Sequence, residues 1–227
     1  MSALRETSVG VVGTEAVRVT ARALAHRYGP QRGLEPLSFE VVAPAVVAVT
    51  GPNGVGKSTL LKIVAGLLEP SRGEATLAVG GRSVLAAERR RCVGYAGPEL
   101  SFYPELGVAE NLTFAAMTRG LPAPAVRVRE SLDRVGLSRH GTERVAALSS
   151  GMMQRLRIAF ALLHRPPLLL LDEPGNHLDD EGRVALRAIV AEEGRAGLVL
   201  LATNDEREWR LAERRIELSG RGLGHSA

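Results

Sequence analysis

Lysine is almost missing from this chain: of its 29 basic residues only Lys57 and Lys62 are lysine, and the rest are arginine. Cysteine is rarer still. Cys92 stands alone, which excludes an internal disulfide framework and any zinc site built from several cysteines, and points to a reducing compartment. Aromatic residues make up only 4%. They do not interleave with basic residues as a nucleic-acid stacking surface would, and the densest basic run, Glu88-Arg89-Arg90-Arg91, reads as a solvated face. Apolar runs such as residues 168–171 fall far short of the roughly 20 residues that a membrane-spanning helix needs. The patch at residues 9–13 is too brief for a secretory signal core, so residues 1–15 read as a loose tail. A net charge of +4 is too small to argue for a nucleic-acid partner, and none is expected.

What is present is enough for a core: 227 residues with 45% apolar content suit one large domain or a domain with a subdomain. One of the two lysines lies in Gly51-Pro52-Asn53-Gly54-Val55-Gly56-Lys57-Ser58-Thr59, which fits the phosphate-binding pattern G-x-x-x-x-G-K-[ST]. The context agrees, with a strand-like run at 45–49 before it and a helix-like run at 60–66 after it. Gly54 and Gly56 permit the backbone angles that close a loop round an anion, while backbone N–H groups and the helix N-terminus aim positive charge at phosphate oxygens. Lys57 is expected to neutralise the terminal phosphates and the Ser58 hydroxyl to bind magnesium.

Strands are expected at 17–23 and 37–42, with a turn region from Tyr28 to Gly33, and at 74–79 and 92–96, with Gly80-Gly81 as a turn. From 98 to 165 the pattern becomes helical, at 108–118, 123–135 and 150–164. After Pro166-Pro167 strand-like and helix-like segments alternate again: 168–172, 180–193, 197–202, 205–212 and 214–218. A parallel α/β core interrupted by a helical insertion follows, with a frayed glycine-rich tail at 220–227. The run Leu168-Leu169-Leu170-Leu171-Asp172-Glu173 is a buried strand ending in two carboxylates. An acid at the carboxyl end of a parallel strand points into the ligand crevice, so Asp172 is a candidate for magnesium and Glu173 for orienting or deprotonating an attacking water.

Between these motifs lies Leu148-Ser149-Ser150-Gly151-Met152-Met153-Gln154-Arg155, and the three in this order resemble the ATPase subunits of ABC transporters. The resemblance covers about residues 16–218. It implies a P-loop NTPase of α/β class with a mixed sheet core, an antiparallel β subdomain and an inserted α-helical subdomain at about 98–165, all in one domain over 16–219. It further implies ATP and Mg2+ as cofactors and a head-to-tail dimer, of like or unlike ATPase subunits. In such a dimer Ser149, Ser150, Gly151 and Met152 cap the ATP of the opposite subunit, again with a helix N-terminus towards phosphate. Tyr28 resembles the aromatic residue that stacks on adenine, and Leu178-Asp179 the loop that contacts the opposite subunit. Val108-Ala109-Glu110-Asn111-Leu112 resembles the start of the subdomain that meets integral membrane subunits. The implied location is cytoplasmic, peripheral on the inner face of the cell membrane. The signature looks most like exporter ATPases, including the haem exporter ATPases of cytochrome c biogenesis.

Three positions depart from the family pattern. Pro98-Glu99 stands where a glutamine is usual, leaving the contact with magnesium and water to Glu99. Met152 replaces the last signature glutamine, and Asn204 the switch histidine, giving an amide that can hydrogen-bond the γ-phosphate but carries no titratable proton. Hydrolysis is expected to be slow and binding to survive. Two other classes share parts of the pattern. Soluble ABC proteins of translation or DNA repair normally carry two modules or long coiled or zinc insertions, and phosphoryl-transfer kinases on a P-loop fold lack the Leu-Ser-x-Gly signature.

Overall fold

In the computed structural model, which describes residues 16–29 and 31–219, the chain builds two sheets with helices packed round them. The expected tails at 1–15 and 220–227 lie outside the described residues. Strands β1 (Val17–Tyr28) and β2 (Gln31–Val42) form a hairpin. Then β3 (Ala45–Thr50) opens a second sheet and feeds helix α1 (Lys57–Ala65). The chain returns to the first sheet with β4 (Arg72–Val79) and β5 (Arg82–Val84), completing an antiparallel order β2-β1-β4-β5. After β6 (Val93–Ala96) come the three helices of the insertion, α2 (Val108–Thr118), α3 (Pro124–Arg134) and α4 (Ser150–Leu162). Strand β7 (Leu168–Asp172), helix α5 (Asp180–Ala196), strand β8 (Leu198–Ala202), the short α6 (Glu206–Trp209) and β9 (Arg214–Glu217) close the second sheet in the order β6-β7-β8-β3-β9. Every pairing in that sheet is parallel. The mixture expected of the core is therefore a division of labour between two sheets, one parallel and one antiparallel.

The leucine run of β7 is explained by burial on both faces. Leu168 and Leu170 pack with α1 and the antiparallel sheet, whereas Leu169 and Leu171 pack with α4, α5 and the helical insertion. β8 repeats the arrangement with Leu198 and Leu200 on one side and Val199 and Leu201 on the other. A strand covered on both faces needs no polar alternation, which is why these runs read as continuous apolar stretches.

The hairpin strands, Val17–Tyr28 and Gln31–Val42, are longer than 17–23 and 37–42 and take up most of the expected turn region. Register shifts between Ala21 and Leu24, and again at His26, interrupt the period-two pattern, with Ala23 at φ 46°. Alternation stops at such a bulge although the pairing continues beyond it. β5 went unread because three residues, none of them buried, carry no pattern.

Arg89 is the clearest correction. It belongs to the run expected to be a solvated face, yet it is 6% exposed. Its guanidinium donates to the carbonyls of Ile63 and Val64 at 3.0 Å each and of Ala75 at 2.6 Å. Two of these belong to the last turn of α1, whose carbonyls have no partner within the helix, so Arg89 closes the C-terminus of the phosphate-loop helix with a positive charge. Arg90 and Arg91 remain exposed. Arg89→Ala is expected to destabilise the protein by about 2–4 kcal/mol, because it removes hydrogen bonds to three carbonyls, of which Ile63 keeps a bond from the Gly66 N–H, while Arg90→Ala stays within about 0.5 kcal/mol of the parent. Urea unfolding of the two variants side by side checks this.

Candidate functional site

Register places the site. β8 sits between β3 and β7, with Ala202 opposite Val49 on one side and Asp172 on the other. The three strands therefore end at the same level, and the residues that follow them, Gly51 onward, Glu173 and Asn204, emerge together at the carboxyl edge of the sheet. This is where ligands bind in open parallel sheets.

The loop after β3 surrounds a cleft of about 420 Å³, to which Asn53, Gly54, Gly56, Lys57, Ser58 and Thr59 contribute together with Tyr28 and Glu173. Gly56 is the residue before α1, at φ 107°, and a Cβ there would lie 2.2 Å from the Gly33 carbonyl oxygen, so only glycine closes the loop. Val55 turns away into the apolar core. The Lys57 ammonium is 6% exposed and donates to the carbonyls of Gly51 at 2.9 Å and Pro52 at 3.3 Å and to the Asn204 side-chain oxygen at 2.9 Å. Glu173 Oε1 stands 3.6 Å away. The Asn204 amide in turn donates to the Asn53 side chain. The Tyr28 hydroxyl meets Thr59 Oγ1 at 3.4 Å, and its ring packs edge-on against His26 at 4.5 Å. The sequence candidates for phosphate and base contact thus converge, and the Asn53–Asn204 pair, which the sequence did not suggest, ties the cradle to the loop after β8.

Of the carboxylate candidates Glu173 lines the cleft, and Asp172 meets Ser58 beside it. Asp172 is 1% exposed, and burial raises its carboxyl above the ordinary range against a hydrogen bond from the Ser58 hydroxyl. Its Oδ1 has no hydrogen-bond partner. A buried carboxylate oxygen without a donor is what a cation would satisfy, so Asp172 and Ser58 fit magnesium. Among the described residues no group of three or more His, Cys, Asp or Glu could hold a metal, so further ligands would come from phosphate and water. Glu99, the other metal candidate, turns to Lys62 at 3.0 Å and accepts from the Tyr95 hydroxyl at 2.9 Å, while that hydroxyl lies 3.5 Å from Asp172 Oδ2. Burial would raise the Glu99 carboxyl, but its own backbone N–H, Lys62 and Tyr95 outweigh it and hold it below the ordinary value. Glu173 sits at φ 49°, a left-handed conformation costly for a non-glycine residue. Burial raises its carboxyl, opposed first by Lys57.

Ser149, Ser150, Gly151, Met152 and Asp179 do not line this cleft. Ser149 Oγ accepts from the Met152 N–H at 3.2 Å, as a helix cap, and Asp179 caps α5 through the Gly182 N–H at 2.9 Å while pairing with Arg155. Glu208 is a buried carboxylate, 6% exposed, that no motif signalled. Its Oε2 has no hydrogen-bond partner, and burial raises it above the ordinary value, with Asp205 and Glu173 adding to the shift and Thr203 and Arg183 opposing it.

With this geometry in view, comparison with known proteins is informative. A family model described as ABC transporter matches residues 34–176. The phosphonates import ATP-binding protein PhnC of Bordetella parapertussis is 34% identical, over 90% of this chain and 88% of its own length. The uncharacterized ABC transporter ATP-binding protein YxlF of Bacillus subtilis is 36% identical over 82% of this chain, which spans 62% of YxlF. Among solved structures, the ATP-binding subunit of an ABC transporter shares 33% identity with a TM-score of 0.77, covering 88% of this chain and 85% of that one. The dimeric post-hydrolysis state of the ATP-binding cassette MJ0796, bound to ADP and Pi, shares 25% identity with a TM-score of 0.75, covering 88% of this chain and 94% of that one.

The Glu208 environment has a consequence for stability. A carboxyl whose folded pKa is raised binds its proton more tightly in the folded than in the unfolded chain. It therefore costs stability as the pH rises from the unfolded value through the folded one, and costs nothing below both. Glu208→Gln is expected to raise Tm at neutral pH, with the gain shrinking as the pH is lowered to the ordinary value of 4.5. Thermal unfolding of parent and variant across that range measures it.

Proposed function

This chain belongs to the ABC transporter family, and we propose that it is an ATP-binding and ATP-hydrolysing subunit that dimerises head-to-tail to drive separate integral membrane subunits. The observation that carries the reading is the cleft in which the glycine-rich loop, the Lys57 ammonium and Glu173 meet, with Asp172 at the end of the adjacent parallel strand. Its curated relatives include longer proteins, of which it spans about 60%, 62% for YxlF and 59% for YdbJ.

In this reading the backbone N–H groups of residues 53–59 bind the phosphates, with the Lys57 charge on the terminal two, and Tyr28 stacks on the adenine. Ser58 and Asp172 would hold Mg2+, which neutralises charge on the phosphate oxygens. Glu173 orients the attacking water and accepts its proton as the new bond to the γ-phosphorus forms and the bond to ADP breaks. Its raised carboxyl suits a base better than an ordinary one, because Brønsted strength rises with pKa. Asn204 stands where its amide can hydrogen-bond the γ-phosphate, and because an amide cannot titrate, turnover in this reading is slow. Ser149, Ser150, Gly151, Met152 and Asp179, turned away from this chain's own cleft, serve the nucleotide of the partner subunit.

The membrane partner is supported by the surface of the insertion, where Tyr103 and Phe114 pack edge-to-face at 5.6 Å and are 55% and 50% exposed, beside Met117 at 65%. Among the described residues no helix is long and apolar enough to cross a membrane, so in this reading the spanning part is supplied by other subunits on whose cytoplasmic face the chain sits. For direction we favour export, on the resemblance of the Leu148–Met152 signature to exporter ATPases of the haem exporter type. PhnC is named as an importer, and uptake measured in vesicles of defined orientation decides between the two.

Lys57→Ala is expected to abolish high-affinity ATP binding, because it removes the ammonium from the cradle and leaves the fold intact; titration with a fluorescent nucleotide on a folded variant checks this. Glu173→Gln is expected to keep ATP binding but to slow turnover by about 10²- to 10⁴-fold and to accumulate an ATP-bound dimer on sizing columns. Turnover unchanged in Glu173→Gln would move the base elsewhere.

A further inference from the structure

Helix α4 is bound to its own chain by the side chains of Gln154, Arg155 and Arg157, none of them a site candidate from the sequence. Gln154 is 4% exposed. Its Nε2 donates at 3.3 Å to the carbonyl of Pro174, the residue after Glu173, and its Oε1 accepts at 3.2 Å from Arg157 Nη1. Arg157 Nε then donates at 3.2 Å to the carbonyl of Leu100, the residue after Glu99. One buried amide, with Arg157, thus joins the loop that carries Glu173 to the loop that carries Glu99.

The same helix touches the loop after β7 at two further points. Arg155, 6% exposed, pairs with Asp179 and lies 3.6 Å from Glu181 Oε2. At the start of the helix Gly151 approaches His177 so closely that a Cβ would lie 2.7 Å from the His177 carbonyl oxygen, and His177 is itself held at φ 64°. Contacts at 151, 154 and 155, within about one turn of a rigid helix, oblige residues 150–157 and the loop 173–179 to move together. The N-terminus of that helix is formed by Ser149, Ser150 and Gly151.

We propose that Gln154 and Arg157 are positioning residues that link occupancy of this chain's own cleft to the setting of Ser149, Ser150 and Gly151. The inference rests on the ATP reading above, in which those three residues meet the nucleotide of the other subunit, and so gives each ATP a mechanical route to its neighbour. Neither Gln154 nor Arg157 lines the cleft. Their loss therefore leaves nucleotide affinity alone and removes the response of the helix start.

Hydrogen exchange of residues 149–153 tests this, with and without the non-hydrolysable β,γ-imido analogue of ATP and magnesium, at a dilution where sizing shows a monomer. In the parent the analogue is expected to slow exchange by about fivefold or more. In Gln154→Met and in Arg157→Ala the slowing is expected to fall below about twofold, while analogue affinity stays within about twofold of the parent. Two variants are used because Arg157, unlike Gln154, is not fully buried, so Arg157→Ala remains informative if Gln154→Met does not fold. Full slowing in a folded variant, no slowing in the parent, or loss of affinity in step with loss of slowing each overturns the proposal. A parent that does not bind the analogue overturns the ATP reading itself, and titration distinguishes that failure from the others.

Discussion

Three strands that end at one level make the rest of the site possible. Because Ala202 is in register with both Val49 and Asp172, the segments leaving β3, β7 and β8 cannot avoid one another. Their first residues include a buried ammonium, a buried carboxylate and an amide. Each would cost several kcal/mol if left in an apolar environment without partners. The ammonium and the amide satisfy one another, with Glu173 3.6 Å from the ammonium and Asp172 held by Ser58, only because the sheet delivers them to the same place. The doubly covered leucine strands are what hold that register, since a slip of one residue would exchange the side chains that face α1 with those that face α4.

The cradle is satisfied from within the chain. Lys57 is held by two backbone carbonyls and Asn204, and Asn204 by Asn53. The Asn204 side chain uses its oxygen for Lys57 and its nitrogen for Asn53, so it joins the loop after β8 to the loop after β3 at two points. A phosphate oxygen, which carries charge of its own, is a stronger acceptor for the Lys57 ammonium than the neutral Asn204 amide. On the opposite wall Lys62, Tyr95 and Glu99 form a similar closed set next to Asp172, whose Oδ1 is left without a partner.

Much of this was legible because it rests on short-range chemistry. The glycine spacing before Lys57, the acids after the leucine run and the serine-glycine start of α4 each reflect backbone geometry that few other residues satisfy. Where meaning depended on distant partners, no local pattern carried it. Arg89 looks like its neighbours Arg90 and Arg91, and only the carbonyls at the end of α1, some 25 residues earlier, distinguish it. Glu208 is one acid among many until the packing of α6 buries it. The bulges near Ala23 and His26 hid half of the first hairpin because alternation is a test of regularity, and a bulged strand is irregular by construction.

The scarcity of lysine, set against where the two lysines lie, gives the molecule an unusual chemical address. Apart from the α-amino group, its only primary amines are five residues apart on the same helix. Lys57 is nearly closed off inside the cradle, and Lys62, with a side chain 29% exposed, is paired to Glu99. Reagents that acylate amines, which scatter over the surface of an ordinary protein, would here concentrate on one helix and report directly on whether the cleft beside it is open or filled.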